Sequence, residues 1–447
     1  MINVSTSSLP EGAVAELQSL LAIPSVSADP ERTSAVRDAA DWVLDAIVRA
    51  GGAGGLVGDG NAVLVDATIP ASIPGAPTVL CYGHFDVQPP GDEAGWSAEP
   101  FGATLVDGWV VGRGIADDKG QLWLLLRAAA DLAAAGALPV DVRFVCDGQE
   151  EIGGVAIVDH LAEHAGDASA CVIFDTPKLD DLTHVFTTTT RGTLSMHVDV
   201  RTGAGDLHSG VYGGAALNAV HVLVQSLGNL FDGPATPAPE LLAGTIAAAA
   251  DERAAWTDLP GGDTLLAERG AIAADPRAAS EFYRRTWELP SLDVNGVQAG
   301  SPFQQKTIVV AEAHANLSMR LADGQHADEL APVVEGLLRR GLPDGATLSF
   351  QVLSACDPGR VDPTSRPLRL AADAFASALG RRPLMLRSGG SLPLMPLLER
   401  LGIPAIVTGF AVPSSNMHAP DERMRVSDLE DGLAAARATL HALGAVR

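Results

Sequence analysis

The alternation of hydrophobic and polar residues divides this chain into three stretches. Up to about residue 186, short continuous apolar runs alternate with longer segments whose apolar residues recur at helical spacing. The runs at 78–82, 140–146 and 170–174 are typical of strands buried on both faces of a sheet, and 119–136 is typical of a covering helix. This order predicts an α/β layer with a mostly parallel sheet flanked by helices.

From about residue 187 the pattern becomes that of half-exposed strands. Strands are predicted at 188–200, 306–310, 315–321 and 347–353, the middle two paired with each other, and helices near 217–224 and at 327–340. Residues 232–300 are rich in glycine, proline and alanine and show little periodicity. This stretch predicts a small α+β domain inserted into the larger one.

After Pro367 the alternation of helices and buried strands resumes, and a capping box at Ser427 predicts the start of the last helix. We expect two domains or a large domain with an insertion, because 447 residues exceed one ordinary hydrophobic core. The expected boundaries are 1–186 and 359–447 for a discontinuous larger domain and 187–358 for the inserted one.

Composition and charge exclude several classes of protein. Hydrophobic residues make up 47% of the chain and charged residues 19%, as in globular rather than disordered proteins. The formal net charge is −25, and such a charge repels nucleic-acid phosphates and anionic lipids. We therefore expect no nucleic-acid and no membrane partner.

The N-terminus and the cysteines bear on the cellular compartment. Residues 1–6 have neither the basic region nor the apolar core of a signal peptide, and no run reaches the roughly 18 apolar residues that span a bilayer. The cysteines give no disulfide framework, since Cys81, Cys146 and Cys171 lie in strand-like apolar runs. We expect a soluble, cytoplasmic protein.

The first candidate functional residues along the chain follow the predicted strand 78–82. His84 and Asp86 are two residues apart, so on an extended chain their side chains project to the same side. The imidazole can bind a metal, and the carboxylate can fix its tautomer and ring angle. Taken alone, the pair also fits a strand-end histidine beside a turn aspartate.

Two acidic motifs follow, each with an ordinary alternative. Asp117 lies in a glycine-bounded turn, 112–120, that could hold a bridging carboxylate rigidly, or it could cap the following helix. Glu150 and Glu151 come after the strand 140–146, and because adjacent side chains diverge, one could bind a metal while the other acts as general base. Alone, such a pair is usually solvated charge.

A further acid and a second histidine complete the set. Asp175 comes directly after the strand 170–174, and His418 lies in a polar loop far downstream. Open α/β sheets bind ligands at the carboxyl ends of their strands. Imidazole and carboxylate ligands without thiolate suit two divalent ions, with zinc favoured and manganese or cobalt as substitutes. Together the sites predict a dinuclear metal centre.

These motifs resemble those of the co-catalytic zinc metallopeptidase family that includes carnosinase, bacterial dipeptidases, aminoacylase, acetylornithine deacetylase, succinyl-diaminopimelate desuccinylase and glutamate carboxypeptidase. The resemblance rests on Gly-His-Phe-Asp-Val at 83–87, Gly-Arg-Gly-Ile-Ala-Asp-Asp-Lys-Gly at 112–120, Glu-Glu at 150–151, Asp175, and Ser-Asn-Met-His-Ala-Pro at 415–420. It implies a zinc-exopeptidase α/β fold with an inserted α+β, ferredoxin-like lid or dimerisation domain.

The resemblance also implies a set of metal ligands. In chain order these are His84, Asp117, Glu151, Asp175 and His418. His84 and Asp175 would bind one ion and Glu151 and His418 the other. Asp117 would bridge the two ions.

The remaining implied roles concern the reaction. Glu150 would act as general base on a metal-bridging water, and Asp86 would orient His84. In the family the peptide bond after the bridging aspartate is commonly cis. We therefore expect a cis bond between Asp117 and Asp118.

The inserted stretch resembles the family's lid. The segment Gly-Asp-Leu-His-Ser-Gly around His208 resembles one whose histidine reaches across a homodimer to stabilise the partner's oxyanion. Without the resemblance, His208 is most simply a loop histidine at a helix start. Arg320 and Thr307 resemble lid-strand residues that grip the substrate carboxylate, and Gly390 and Ser391 resemble a glycine loop that lines the same pocket.

The expected function is dinuclear metal-dependent hydrolysis of the amide bond of a dipeptide or other small peptide. Asp175, rather than a glutamate, resembles the dipeptidase and aminopeptidase branch. Carnosinase-like members often carry a further substrate histidine near the end of the lid, which 354–360 lacks, so the exact substrate stays open. The alternatives are an N-acyl-amino-acid deacylase or a carboxypeptidase on this scaffold and, in a different class, a non-catalytic peptide-binding protein.

Overall fold

The computed structural model describes residue 9 and residues 12–446. These form two compact units: residues up to Thr188 with Val361–Leu386 and those from Leu397 onward, and Thr189–Arg360 with Arg387–Pro396. Relative to the expected boundaries, Arg387–Pro396 belongs to the second unit; the domain assignment itself stays a prediction. The expectation that residues 1–6 are not part of a signal peptide falls outside the described residues.

Helices and strands are numbered in chain order through both units. The helices are α1 (Ala13–Leu21), α2 (Thr33–Arg49), α3 (Lys119–Ala134), α4 (Ala156–His164), α5 (Ser209–Tyr212), α6 (Ala219–Gly228), α7 (Ala250–Ala255), α8 (Gly262–Glu268), α9 (Ala327–Arg339), α10 (Arg366–Leu379), α11 (Leu394–Leu401) and α12 (Val426–Leu443). The strands are β1 (Ala53–Val57), β2 (Leu64–Ile69), β3 (Thr78–His84), β4 (Thr104–Val106), β5 (Trp109–Val111), β6 (Asp141–Asp147), β7 (Ala168–Phe174), β8 (Val185–Thr190), β9 (Gly192–Arg201), β10 (Leu207–His208), β11 (Ser291–Gln298), β12 (Ile308–Val309), β13 (Glu312–Leu321), β14 (Thr347–Cys356), β15 (Gly359–Arg360), β16 (Leu384–Arg387), β17 (Ala405–Thr408) and β18 (Arg423–Arg425). Among the described residues, no helix is both long and apolar enough to cross a membrane.

The first unit is built on a six-stranded sheet in the order β1-β2-β6-β3-β7-β17. Strands β6, β3, β7 and β17 run parallel, and β2 and β1 extend one edge in antiparallel fashion. The parallel strands are the continuous apolar runs of the sequence, and Cys81, Phe144 and Ile173 on them are fully buried. The expected α/β fold with a mostly parallel sheet is confirmed.

Helix α3 packs on this sheet with its first turns buried on every side. Its first residue, Lys119, is fully buried, and its ammonium donates hydrogen bonds to the carbonyl oxygens of Leu20 and Ile23 at 3.3 and 2.6 Å. Burial lowers the pKa of Lys119 to about 7. These contacts fix the start of α3, and with it the turn 112–118 that precedes the helix.

The second unit contains a four-stranded antiparallel sheet in the order β11-β13-β9-β14. With α6 between β9 and β11 and α9 between β13 and β14, the chain follows the β-α-β-β-α-β path of a ferredoxin-like fold. Alternate side chains of β9, such as Leu194 and Met196, join α6 and α9 in one hydrophobic core. The inserted ferredoxin-like domain is confirmed.

Several element predictions were wrong. Segments 306–310 and 315–321 do not pair with each other: β12 pairs with β10, and β13 lies between β9 and β11. The predicted strand 188–200 is two strands, because the ladder breaks at Arg191. Strand β11 was not predicted, because it is mostly exposed and lies in a stretch without hydrophobic periodicity. Helix α12 begins at Val426 without a side-chain cap, so the predicted capping box is absent.

A buried ion pair joins two loops of the first unit. The Arg113 guanidinium donates to Glu422 at 2.7 Å, and both side chains are almost fully buried. The same carboxylate accepts the backbone N–H groups of Gly114, Ala116 and Asp117 at 3.0, 2.9 and 3.1 Å. The turn 112–117 therefore takes its shape from an acid more than 300 residues away in sequence.

We predict that Glu422→Ala lowers the free energy of unfolding by about 3–5 kcal/mol, because it leaves a buried arginine charge without its partner. The measurement is denaturant unfolding above pH 7, the value to which burial raises the pKa of Glu422. The matched control is Asp373→Ala, which removes an exposed ion pair with Arg382 and costs less than about 1 kcal/mol. Equal losses in both variants would contradict the prediction.

Candidate metal centre

The candidate ligands lie at the carboxyl edge of the parallel strands. His84 ends β3, Asp175 directly follows β7, and Glu151 lies in the turn after β6. Asp117 precedes α3, and His418 lies in the loop between β17 and β18. Parallel strands end at the same edge of a sheet, which is why these distant residues meet.

Asp117 lies at the centre of the cluster. Its Oδ1 is 2.9 Å from His84 Nε2, and its Oδ2 is 2.9 Å from His418 Nε2. Asp175 Oδ1 is 3.8 Å from His84 Nε2, and Glu151 Oε2 is 3.2 Å from His418 Nε2. Two groups of three ligands result, and they share Asp117.

The donor set fits a pair of divalent ions. In each group the ligand atoms lie within 4.8 Å of one another. Zinc bonds imidazole nitrogen and carboxylate oxygen at about 2.0–2.2 Å, which places ligand atoms of one ion roughly 3.3 Å apart. The spacings of 2.9–3.8 Å around His84 and His418 are close to that value. Three carboxylates and two imidazoles, without thiolate, are ligands that zinc, manganese and cobalt accept.

The pKa shifts of Asp117 and His418 also indicate that this cluster favours bound cations. Burial opposes ionisation of Asp117, yet hydrogen bonds from His418 and His84 hold its pKa well below the ordinary value. Hydrogen bonds to Asp117 and Glu151 raise the pKa of His418 to about 10. The carboxylates thus stabilise cations at the imidazole nitrogens, where a metal ion would bind.

Glu150 occupies a different environment from its neighbour Glu151. Burial raises the pKa of Glu150 to about 8, and the charges of Asp175, Asp117 and Glu151 act in the same direction while His84 opposes them. A carboxyl group with a pKa near neutrality can both accept and return a proton. Glu150 is therefore suited to acid–base chemistry beside the ligands.

Asp86 supports the centre through both of its carboxylate oxygens. Oδ1 accepts the backbone N–H of Glu150 at 3.2 Å, and Oδ2 accepts that of Glu151 at 3.1 Å. His84 Nδ1 is 3.1 Å from the backbone oxygen of Asp86 and 3.4 Å from its Oδ1. Asp86 therefore positions the glutamate turn as well as the imidazole, a role that the His-x-Asp spacing does not reveal.

Asp118 contacts the backbone of His84. The peptide bond between Asp117 and Asp118 is cis, so that prediction is confirmed. Asp118 Oδ2 accepts the backbone N–H of His84 at 3.1 Å. A Cβ atom at Gly83 would lie 2.7 Å from the same oxygen, so only glycine allows this approach.

Sequence reasoning missed two residues that hold ligands in place. Gln88 donates its amide to Glu151 Oε2 at 2.9 Å and its backbone N–H to Oε1 at 3.1 Å. Glu422 binds the N–H of Asp117, as described above. Each lies within four residues of a ligand or motif residue, but only the folded chain shows what they contact.

The loop that carries His418 has an unusual backbone. Asn416, His418 and Asp421 have φ angles of 55°, 60° and 58°, in the left-handed region. Non-glycine residues adopt this conformation at a cost and concentrate where the surrounding structure fixes them, often at functional sites. Asp421 Oδ1 accepts the Ser97 N–H at 2.6 Å, which ties this loop to a neighbouring one.

The predicted substrate residues belong to the second unit, where Arg320 and Ser391 meet. Arg320 Nη1 donates to Ser391 Oγ at 2.7 Å and to Thr193 Oγ1 at 2.8 Å. Gly390 accepts the backbone N–H of Arg191 at 3.0 Å, so Arg191 holds the glycine loop. Thr193 and Arg191 were not predicted.

His208 and Thr307 also lie close to each other. His208 is exposed, and its Nδ1 accepts the N–H of Gly210 at 3.0 Å at the start of α5. The carbonyl oxygen of Thr307 accepts the N–H of Ser209 at 3.0 Å. The backbone of Thr307 therefore supports the short strand that presents His208.

Comparison with known proteins gives relatives across nearly the whole chain. The sequence is 27% identical over 434 residues to the cysteinylglycine-S-conjugate dipeptidase of Corynebacterium striatum, covering 93% of this chain and 92% of that protein. The fold is similar to the di-peptidase Dug1p from Saccharomyces cerevisiae, with a TM-score of 0.82, 23% identity, and coverage of 97% and 95%. It is also similar to the metallo-carboxypeptidase Sso-CP2 from Sulfolobus solfataricus, with a TM-score of 0.86, 22% identity, and coverage of 98% and 100%.

Family membership rests on a match that contains the whole centre. Residues 80–442 match Peptidase family M20/M25/M40, a span that includes every residue from His84 to His418 discussed above. The resemblance inferred from the motifs is thereby confirmed, and so is the assignment as an enzyme that acts on peptide bonds. The chain belongs to peptidase family M20/M25/M40.

Proposed function

We propose that this protein is a metal-dependent dipeptidase that hydrolyses the amide bond of small peptides at two divalent ions. The observation that carries the proposal is the pair of ligand groups that share Asp117, with Glu150 beside them. His84, Asp117 and Asp175 would hold one ion, and Asp117, Glu151 and His418 would hold the other. Zinc is the proposed metal, with manganese or cobalt as substitutes.

The protein's own groups have separate tasks in this reaction. Bound divalent ions would lower the pKa of water and polarise the carbonyl of the scissile bond. Glu150 accepts the proton of the attacking water and returns it to the leaving amine. Asp86 and Gln88 keep Glu150 and Glu151 at fixed positions through hydrogen bonds of 2.9–3.2 Å.

The proposed substrate class rests on the relatives and on Arg320. A dipeptide is favoured because the relatives include proteins named cysteinylglycine-S-conjugate dipeptidase and di-peptidase Dug1p. Arg320, with Ser391 and Thr193, offers a guanidinium suited to bidentate binding of a substrate carboxylate. The glycine loop at Gly390 would line the same pocket. An N-acyl-amino-acid deacylase or a carboxypeptidase is the alternative on this scaffold, the latter because of the likeness to Sso-CP2.

The assembly and the compartment are part of the proposal. The exposed imidazole of His208 supports a homodimer through the second unit in which it stabilises an oxyanion in the partner's site, with Thr307 behind it. Cys81, Cys146 and Cys171 are buried and form no disulfide, which supports a reducing compartment such as the cytoplasm. The net charge of −25 argues against nucleic acid and anionic membranes as partners.

Glu150→Gln is expected to lower kcat about 10²–10⁴-fold, because glutamine cannot accept the proton of the attacking water. The bound metal content of Glu150→Gln should stay at the wild-type value. Glu151→Gln should lower both kcat and the bound metal content. Steady-state kinetics and elemental analysis of the same samples make the comparison. Unchanged hydrolysis by Glu150→Gln would remove Glu150 as the base, and wild-type protein without hydrolase activity would favour a peptide-binding role.

A substrate panel separates the candidate activities. We expect turnover of unblocked dipeptides and little or none of N-acetylated amino acids. Replacing Arg320 by methionine should raise KM for substrates with a free carboxylate much more than for their amides, because the charge that binds the carboxylate is lost. Activity confined to N-acetylated amino acids would instead identify a deacylase.

Metal binding is expected to compete with protons. Chelation should abolish activity, and zinc should restore it. Hydrogen bonds to Asp117 and Glu151 raise the pKa of His418 to about 10, so a metal ion would have to displace a proton there at neutral pH. Zinc affinity should therefore fall by about tenfold or more for each pH unit lost below that value. Titration calorimetry at several pH values measures this, and an affinity independent of pH would contradict the assignment of His418 as a ligand.

A further inference from the structure

Among the described residues of the second unit, helices α6 and α9 pack on one face of the four-stranded sheet, and the other face is referred to as the open face. Even-numbered positions of β9, such as Met196 and Val198, point into the hydrophobic core with α6 and α9. The alternate positions, which include His197 and Asp199, therefore lie on the open face. On β13 the same alternation places His314 on that face.

Four polar side chains meet on this face. Strands β9 and β13 pair so that Asp199 lies opposite His314 and His197 lies opposite Asn316. Asp199 Oδ1 is 3.0 Å from His197 Nε2 and 2.6 Å from His314 Nδ1. The two rings are nearly parallel, with centroids 6.3 Å apart. Two imidazole nitrogens therefore converge on one carboxylate oxygen.

The hydrogen bond between His197 Nδ1 and Asn316 restricts what can lie between His197 Nε2 and Asp199 Oδ1. His197 Nδ1 is 2.6 Å from Asn316 Oδ1, an acceptor, so Nδ1 carries the proton of a neutral ring. Nε2 then presents a lone pair to Asp199 Oδ1, which is also an acceptor. Two acceptors at 3.0 Å need a cation between them, either a proton or a metal ion. The hydrogen bond to Asn316, with Asp199 adding to it, accordingly raises the pKa of His197.

We propose that His197, Asp199 and His314 bind one divalent transition-metal ion on the open face of this sheet. The three ligand atoms lie within 4.8 Å of one another, and all three side chains are partly exposed, so small rotations suffice to surround an ion. Two imidazoles with one carboxylate favour zinc, copper or nickel over magnesium or calcium. Asn316 accepts a hydrogen bond from His197 Nδ1, and this bond fixes the tautomer in which Nε2 can bind a metal ion.

This site is separate from the proposed substrate residues. Arg320 lies six positions along β13 from His314, a distance of roughly 20 Å on an extended strand. The site also shares no ligand with the groups around Asp117. The ion would join β9 to β13, so it would stabilise the second unit rather than act on the peptide bond.

The test is the zinc content of the full-length protein after equilibrium dialysis against Zn²⁺ alone at a fixed free concentration. Wild type should hold one zinc more per chain than His314→Ala or His197→Ala. The matched control is His221→Ala, an exposed histidine of α6 in the same unit, which should hold as much as wild type. Equal zinc in wild type and His314→Ala, or an equal loss in the control, overturns the proposal.

Two further readouts separate this site from the catalytic proposal. Asn316→Ala should weaken the additional zinc site about 10–100-fold while leaving its ligands in place. His84→Ala should lower the zinc content of the catalytic centre but retain the ion that His314→Ala removes. Peptidase activity at saturating zinc should be the same in His314→Ala as in wild type. A loss of that activity together with a wild-type zinc content would assign His314 a role other than metal binding.

Discussion

The structure depends on one carboxylate, that of Asp117, whose two oxygens face two imidazoles at 2.9 Å each. A buried carboxylate is stable only where positive charge is at hand, and here that charge must lie at the nitrogens of His84 and His418. Asp175 and Glu151 add further negative charge at the outer side of each imidazole. The arrangement leaves two neighbouring positions at which a divalent cation lowers the free energy of the whole group.

That arrangement is maintained by polar groups that do not bind metal themselves. Asp86 accepts the N–H groups of Glu150 and Glu151, and Glu422 accepts those around Asp117. Burying so many acids would be costly without these hydrogen bonds and the Arg113 ion pair. The same interactions that hold the loops together therefore fix the positions from which the ligands act.

That the candidate ligands lie close together could be predicted, because their placement follows from a regular rule. Apolar runs mark the buried parallel strands, and polar residues directly after them must gather at one edge, which placed His84, Glu151 and Asp175 together. The supporting contacts could not be predicted, since Glu422 meets Asp117 across 305 positions and nothing local marks a buried acid. Strand β11 was missed for a related reason: only Leu292 of its residues is buried, so it lacks the alternation that identifies a strand.

The second unit carries two clusters of polar side chains on the same face of its sheet. At one end of its open face Arg320 meets Thr193, and six residues away along β13 His314 meets Asp199. Both pairs arise from the same antiparallel register, which brings β9 and β13 side chains opposite each other. The helix-covered face carries the hydrophobic packing, so the positions on the open face can hold polar side chains.

The most direct test of the account is anomalous diffraction at the zinc absorption edge from crystals grown with zinc. We expect two zinc peaks that flank the Asp117 carboxylate, one bonded to His84 and Asp175 and the other to Glu151 and His418. A single peak at this centre, or zinc bound without any bond to Asp117, would contradict it.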